Sequence, residues 1–441
     1  MFFTALLLLM IGYPVAFSFG AVAIVFGLIS AYIEVSGSQF SFVLLSEEFL
    51  SMFSMMPFRI YSIMTNKILI AVPLFIYMGL ILQKTKLAQR LLEAMGSLFG
   101  NTRGGLAIST ILVGSMLAAS TGVVGASVVA MGVISLPIML NHNYSKSLAS
   151  GTICASGTLG QIIPPSIVLI ILSDVFSVPV GDLFSAAIIP SLVLVGSYIL
   201  YVLIVAYLNP SLAPAIQNTD DKGMEKILKA LKSIVPPLML IIFVLGSIFS
   251  GIATPTESAS VGVVGAMLLA ILYREFSIKR IMDAAKDTVK ITSMVFAILI
   301  GATAFSLVFV YTGADTIVEG FMMSLPGEKW GFLLFSMLII LFLGFFIDFI
   351  EISYIIVPIL LPIAHTIGID PIWFAILIAM NLQTSFLTPP FGFSLFYLKG
   401  VAQDHDLDIK TTDIYRGVIP FILIQIAVLI TIVVFPHIYG F

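Results

Sequence analysis

Read for where charge is missing, the chain divides into apolar runs separated by short charged segments. Uncharged runs of about the ~20 residues that a spanning helix needs lie at 3–33, 68–83, 183–208, 233–256, 258–273, 291–314 and 417–436. Each predicts one membrane span. The stretch 42–65 carries Glu47, Glu48 and Arg59 and fits either a tilted span or a helix along the interface. Two regions break the pattern. Gly104 to Ser145 is uncharged for 42 residues, too long for one crossing, and is interrupted by STGVVGAS at 120–127. Trp330 to His365 is of similar length and is interrupted by IDFIE at 347–351. Each predicts a re-entrant helical hairpin, whose turn is tolerated at membrane depth when it is buried in protein or faces water. Each is followed by a span broken at its centre, by SGTLGQIIPPS at 156–166 and by TSFLTPP at 384–390.

Composition agrees with this reading. Of 441 residues 60% are hydrophobic and 10% charged, so a soluble domain would have nowhere to put its apolar surface. The first 33 residues carry no charge and no basic segment precedes them, which favours a first span over a cleaved signal peptide. One cysteine, Cys154, excludes a disulfide framework or a cysteine metal cluster. No nucleic-acid signature is present, and His142, His365, His405 and His437 form no metal-like pair. Charge placement gives orientation. The basic residues of 84–103, Lys146, 222–232, 274–290 and 399–416 can share one side, which then holds 17 of the 20; Arg59, Lys67 and Lys329 fall on the other. The rich side is expected to be cytoplasmic. The N-terminus is then outside, the first hairpin enters from the cytoplasm and the second from outside.

The halves repeat in sequence as well. Leu136-Pro137-Ile138 recurs as Leu361-Pro362-Ile363 and Pro164-Pro165 as Pro389-Pro390, both at an offset of 225; DLFSAAIIP at 182–190 resembles DIYRGVIP at 413–420. Similar halves of opposite predicted topology form an inverted repeat, a hallmark of secondary transporters. The fold expected is all-α and polytopic, with two re-entrant hairpins and two broken helices.

The diprolines explain the breaks. Proline lacks an N–H and clashes with the preceding turn, so Gly160 and Gln161 in one half, and Ser385 and Phe386 in the other, should lose helical partners for their carbonyls. Those carbonyls, beside Thr158 or beside Thr384, Ser385 and Thr388, offer neutral oxygen ligands suited to Na⁺. Each restarted helix points N–H groups at the same break, which suits an anion. At the first hairpin tip Ser120, Thr121 and Gly122 predict a hydroxyl cap and an exposed glycine backbone. At the second, Asp348 and Glu351 are either functional intramembrane carboxylates or solvated at the interface, the solvated reading being favoured for Glu351. Gly122/Gly125 and Gly262/Gly265 read as helix packing, Glu257 as a helix N-terminal carboxylate, and Asp174 and Asp182 as flanks of an outer loop.

ASTGVVGASVVAMGVISLPIML, SGTLGQIIPPSIVLI, VGDLFSAAIIPSL, GIATPTESASVGVVGA and DIYRGVIPF resemble the large membrane subunit of tripartite ATP-independent periplasmic (TRAP) transporters, from the first helix to the last. The resemblance implies an elevator-type transporter in a bacterial or archaeal inner membrane. It would be driven by Na⁺, need no other cofactor, and work with a small four-helix membrane subunit and a periplasmic substrate-binding protein. Its substrate would be an organic acid such as a C4-dicarboxylate or sialic acid. Scaffold helices and an interfacial arm would occupy 1–103, and the first hairpin, broken helix and following helix 104–208. A cytoplasmic linker at 209–232, scaffold helices at 233–329 and the second hairpin, broken helix and terminal helix at 330–441 complete the division. The family's ion sites map onto Ser120, Thr121, Gly157, Thr158, Gly160, Asp348, Thr384, Ser385 and Thr388, with Gly122, Gln161 and Ser166 expected to meet substrate.

Neither hairpin, nor the broken helix that follows it between Ser147 and Ser173 or up to 398, carries a lysine or arginine. Substrate carboxylates would therefore rest on N–H groups, hydroxyls, helix ends and bound Na⁺. Two other readings of the same residues are a stand-alone Na⁺/dicarboxylate symporter and an intramembrane enzyme using Asp348 and Glu351 as acid and base.

Overall fold

A computed structural model describes residues 1–36, 41–85, 87–99, 102–215 and 223–441. The side chains of residues 87, 88, 97, 120, 121, 223–226 and 229 fall outside this description. All described elements are helices. Among them, nine are long and apolar enough to cross a bilayer by length and composition. Large apolar side chains stand exposed along them, as at Phe17 (74%), Leu192 (66%), Tyr207 (82%) and Leu268 (60%), which is unfavourable in water and natural against lipid.

The two hairpins form as expected. The first has arms Gly105–Thr121 and Val124–Asn141, and the second Lys329–Leu343 and Phe349–Thr366. The broken helices are Lys146–Thr158 followed by Ile167–Phe176, and Pro371–Leu387 followed by Phe393–Asp404. Helices Val180–Leu208 and Thr411–Val434 close the two halves. Gly262 lies against Met78, and Gly265 against Leu240, so that pair does pack helices. Glu257 completes a capping box with Thr254 at the start of helix Pro255–Leu272.

One expectation changes and two are refined. The run 3–33 is two helices, Phe2–Ile11 and Val15–Ser36, because Gly12 adopts a left-handed cap with φ 100° and Pro14 cannot continue a helix. Stretch 42–65 is also two helices, Phe42–Phe53 and Met56–Thr65, of 12 and 10 residues. Neither reaches the length of a span. Helix Gly223–Phe249 takes in 223–232, the last part of the expected linker.

The loops gather at two ends. At one, Gly104 N–H donates to Ala213 and Ser145 N–H to Leu212, which brings both feet of the first hairpin to the loop after Leu208. Lys146 pairs with Asp408 at 2.7 Å, and Arg90 with Glu275 at 3.0 Å. The Arg280 guanidinium hydrogen-bonded to Glu275 holds that carboxyl below its usual range. Among the described residues, the segments around Arg90, Lys146, Arg280 and Asp408 that charge counting puts on one side thus lie at loop ends joined by these contacts. At the opposite end Thr256 Oγ1 donates to the Lys67 carbonyl at 2.9 Å, and Lys329 lies over the Trp373 ring.

Candidate ion and substrate site

Each hairpin's entry arm lies on its own half's break. A methyl on Gly160 would come within 2.9 Å of the Ala118 carbonyl, and one on Gly344 would collide with the Ser385 side chain. The first hairpin also brings Gly114 against the Ser156 side chain, so both hairpins place a glycine on a serine of their broken helix. Gly157 meets Val128 of the first hairpin's exit arm just as closely. Beyond the breaks the halves exchange partners. The restarted helix Ile167–Phe176 packs on the second hairpin, and Phe393–Asp404 on the first, where Gly125 and Gly132 make room for Tyr397 and Leu398. Cys154 Sγ approaches the Ser394 carbonyl at 3.6 Å, so the two broken helices meet.

The hydroxyls at the breaks have a common orientation. Thr158 donates to the Ala155 carbonyl at 2.9 Å, Thr384 to Met380 at 2.9 Å, Ser385 to Leu382 at 2.7 Å and Thr388 to Thr384 at 2.7 Å. With its proton turned back on its own helix, each oxygen presents only lone pairs outward. That is the form a neutral oxygen ligand takes toward a hard cation. Thr158, Thr384 and Ser385 are buried, and Thr388 is half-buried.

Most of the freed carbonyls are not bare. Ser166 Oγ donates to the Gln161 carbonyl at 2.7 Å and Ser394 Oγ to the Phe386 carbonyl at 2.8 Å, while Thr388 N–H reaches Ser385 at 3.1 Å. Three of the four carbonyls expected to be free therefore have donors, because a hydroxyl or a tightened turn replaces the N–H that proline lacks. Ser166 also caps the helix that follows, accepting from Leu169 N–H at 3.4 Å. Its hydroxyl is engaged on both sides. Gln161 offers its side chain instead: it is fully buried, and neither amide atom meets a partner.

The first tip departs from expectation. Thr121 ends helix Gly105–Thr121, Gly122 caps it at φ 61°, and the next helix starts from Val123 without a side-chain cap. Ser120 and Thr121 thus finish the entry arm instead of capping the exit arm, because a left-handed glycine makes a helix stop. Their side chains lie outside the described residues. Gly122 sits over Ile167, where a methyl would come 3.1 Å from the Ile167 nitrogen. The tip therefore covers the N-terminus of the restarted helix. At the second tip Asp348 caps the helix, accepting from Phe349 N–H at 2.7 Å, and is half-buried. Glu351 is the surprise: it is 1% exposed, its Oε2 meets no partner, and the interfacial reading does not hold.

Sequence reading passed over several polar residues that the fold buries. Asn381, 2% exposed, donates to the Met337 carbonyl of the second hairpin at 2.6 Å. Gln383 beside it is fully buried, with its amide close to the buried Tyr198 hydroxyl. The run NLQTS at 381–385 was the signal, being polar in an otherwise apolar span. Asp174 is not a solvated flank, since it accepts from Asn66 and Tyr354.

Inverted hairpins laid on broken helices, with lone pairs and helix N-termini turned toward the breaks, define a membrane transport protein of the inverted-repeat class. Comparison is more specific. The family described as tripartite ATP-independent periplasmic transporter, DctM component, matches residues 2–438, and the chain belongs to it. It is the large membrane subunit of a TRAP transporter, a multi-pass membrane protein and not an enzyme. It is 31% identical over 369 residues to the C4-dicarboxylate TRAP transporter large permease protein DctM of Pseudomonas aeruginosa, covering 83% of this chain and 84% of that one. It is 28% identical over 373 residues to the sialic acid large permease SiaM of Vibrio cholerae, with 84% and 85% covered. With the ectoine/5-hydroxyectoine large permease UehC of Ruegeria pomeroyi it shares 30% over 372 residues, 84% of each chain. In fold it is similar to the YdaH transporter of Alcanivorax borkumensis, with a TM-score of 0.68 over 99% of both chains at 12% identity.

Proposed function

We propose that this subunit imports a carboxylate-bearing solute by Na⁺ symport, the solute being handed over by a periplasmic binding protein. A small four-helix membrane subunit completes the complex in the bacterial or archaeal inner membrane, with the N-terminus of this chain outside. The observation that carries the reading is the gathering of hydroxyl oxygens at the two breaks, Thr158, Thr384 and Ser385 buried and Thr388 half-buried, each donating into its own helix as helical Ser and Thr ordinarily do and so keeping its lone pairs free. Such oxygens suit Na⁺ and do not suit an anion, which needs donors. The restarted helices supply those donors as N–H groups, and the fully buried Gln161 amide adds one more. Substrate and Na⁺ then share one pocket. The hairpins, broken helices and the helices after them move as a unit past residues 1–103 and 233–329, in an elevator cycle. Relatives named for C4-dicarboxylate, sialic acid and ectoine/5-hydroxyectoine transport leave C4-dicarboxylates and sialic acid as the first solutes to try.

Affinity makes partners necessary. Exposed helix ends contribute about 0.3–1 kcal/mol each, whereas ~1 mM binding needs about 4 kcal/mol. A protein that captures the solute tightly and docks outside raises its concentration at the pocket. In proteoliposomes with an inward Na⁺ gradient, uptake is expected only with both the small subunit and the loaded binding protein, and without stimulation by ATP. Saturable Na⁺-driven uptake by this chain alone at micromolar solute would favour a stand-alone symporter instead.

A further inference from the structure

The polar contacts sort into two sets. Those of residues 1–103 and 223–328 stay together, as Arg90 with Glu275, Lys84 with Asp287 and Tyr311 with Glu48. Those of 104–215 and 329–441 do the same, as Lys146 with Asp408 and Trp373 with Ile432. Among the described residues, two of the side-chain hydrogen bonds join the sets, at opposite ends of one helix, Lys67–Lys84. At one end Gln83 Nε2 donates to the Ala126 carbonyl of the first hairpin at 3.1 Å. At the other Asn66 Nδ2 donates to Asp174 Oδ1 at 2.6 Å.

The Asn66 end is built for a defined geometry. Asn66 Oδ1 accepts from Ile68 N–H at 2.9 Å and caps the helix, so its amide has one orientation. Thr256 in turn holds the Lys67 carbonyl, fixing this cap to helix Pro255–Leu272. The other Asp174 oxygen, Oδ2, accepts from Tyr354 at 3.1 Å. Tyr354 lies in a π-helical turn, Ile352–Ile356, directly after the buried Glu351 of the second hairpin. Such turns are frequent at functional sites. One carboxylate therefore ties together the frame, the first broken helix and the second hairpin. Hydrogen bonds to an ionised acceptor are roughly twice as strong as neutral ones, which makes this the stronger of the two joints.

We propose that Asp174 is a coupling residue of the transport cycle: it holds the hairpin and broken-helix unit on Asn66 in this end state, and through Tyr354 makes that hold depend on the second hairpin. The role rests on the elevator reading, because any sliding of the unit along helix Lys67–Lys84 must break the bond to Asn66. Asp174 then needs water or a new donor, since a half-buried carboxylate without partners is unfavourable. Movement of the second hairpin that draws Tyr354 away removes one of its two donors and loosens the joint.

The test separates the two ideas. Cysteines replace Gln83 and Ala126 in a Cys154→Ala background of the reconstituted complex, and a short reducible bifunctional thiol reagent joins them. The joining rate reads how often the protein occupies this end state. Joining should stop uptake until reductant is added; full uptake by the joined protein would sink the elevator reading itself. Into this background go Asn66→Asp, which keeps the helix cap but sets two carboxylates against each other, and Tyr354→Phe, which removes only the hairpin donor. Joining should slow about five-fold or more in the first and by a smaller factor in the second. If joining still blocks uptake but neither variant changes its rate, the unit moves and Asp174 does not hold it. A slower rate in Asn66→Asp alone would overturn the dependence on the second hairpin.

Discussion

Ser166 and Ser394 do for the two breaks what backbone N–H groups do in an unbroken helix. Each hydroxyl closes a carbonyl that proline leaves open, Gln161 in one half and Phe386 in the other. This divides the hydroxyls around the pocket into two kinds. Those of Ser166 and Ser394 are structural, with protons directed across the break, while those of Thr158 and Thr388 direct protons into their own helices and leave lone pairs outward. Thr388→Val should therefore raise the Na⁺ concentration for half-maximal uptake about five-fold, the equivalent of one neutral ligand or ~1 kcal/mol, and Thr158→Val should act similarly. Ser166→Ala should leave that Na⁺ dependence near its original value and lower thermal stability by ~1–2 kcal/mol, through a lost cap and an unsatisfied carbonyl. Equal Na⁺ curves for Thr388→Val and the parent protein would remove Thr388 from the ion site. A sequence cannot distinguish these two kinds of hydroxyl, because the direction of each proton depends on which carbonyl the local turn brings within reach.

At the scale of elements, the fit of each hairpin on its break depends on small residues, several in the first half and Gly344 in the second. The first half uses glycines on both sides of the contact, Gly114 of the hairpin against Ser156 and Gly160 of the break under Ala118, while in the second Gly344 of the hairpin lies over Ser385. Gly344→Ala should lift the second hairpin off Ser385, lowering both thermal stability and uptake, the latter about ten-fold, through a crowded helix contact of ~1–3 kcal/mol. Adding Ser385→Gly gives a contact like that of Gly160 under Ala118. Stability should then recover while Na⁺ activation stays impaired, since the double variant lacks the Ser385 oxygen. Recovery of both would show that Ser385 only packs. The hairpins and breaks were legible in the sequence because charge-free length and diprolines are strong local signals. Other features were not, and two of them show why. Gly12 and Pro14 split an apolar run that composition alone reads as continuous. Glu351 looked like a surface residue because its burial comes from the first restarted helix and helix Ile278–Tyr311 packing on the second tip, partners far away in sequence.

For the whole molecule, we propose from the basic loops which end faces the cytoplasm, and the fold gives the grouping of those loops an independent footing. Charge counting groups segments 84–103, Lys146, 274–290 and 399–416 without knowing that they touch, yet Arg90 reaches Glu275, Lys84 reaches Asp287 and Lys146 reaches Asp408. A wrong grouping would have scattered these residues over both ends. Each cross-loop pair is weak, exposed pairs contributing about 0–1 kcal/mol, so they record the arrangement of the loops more than they enforce it. Which end is inside is an expectation from the positive-inside rule, since the segments grouped at the richer end carry 17 of the 20 basic residues in the sequence. Single cysteines at Ser324 and Asp404, both exposed, in a Cys154→Ala background should therefore react differently with an impermeant thiol reagent. Ser324→Cys should label in intact cells. Asp404→Cys should label only after the membrane is opened. The reverse pattern would invert the whole topology, placing the first hairpin's feet outside and moving the docking face for a binding protein to the end that carries Lys146 and Asp408.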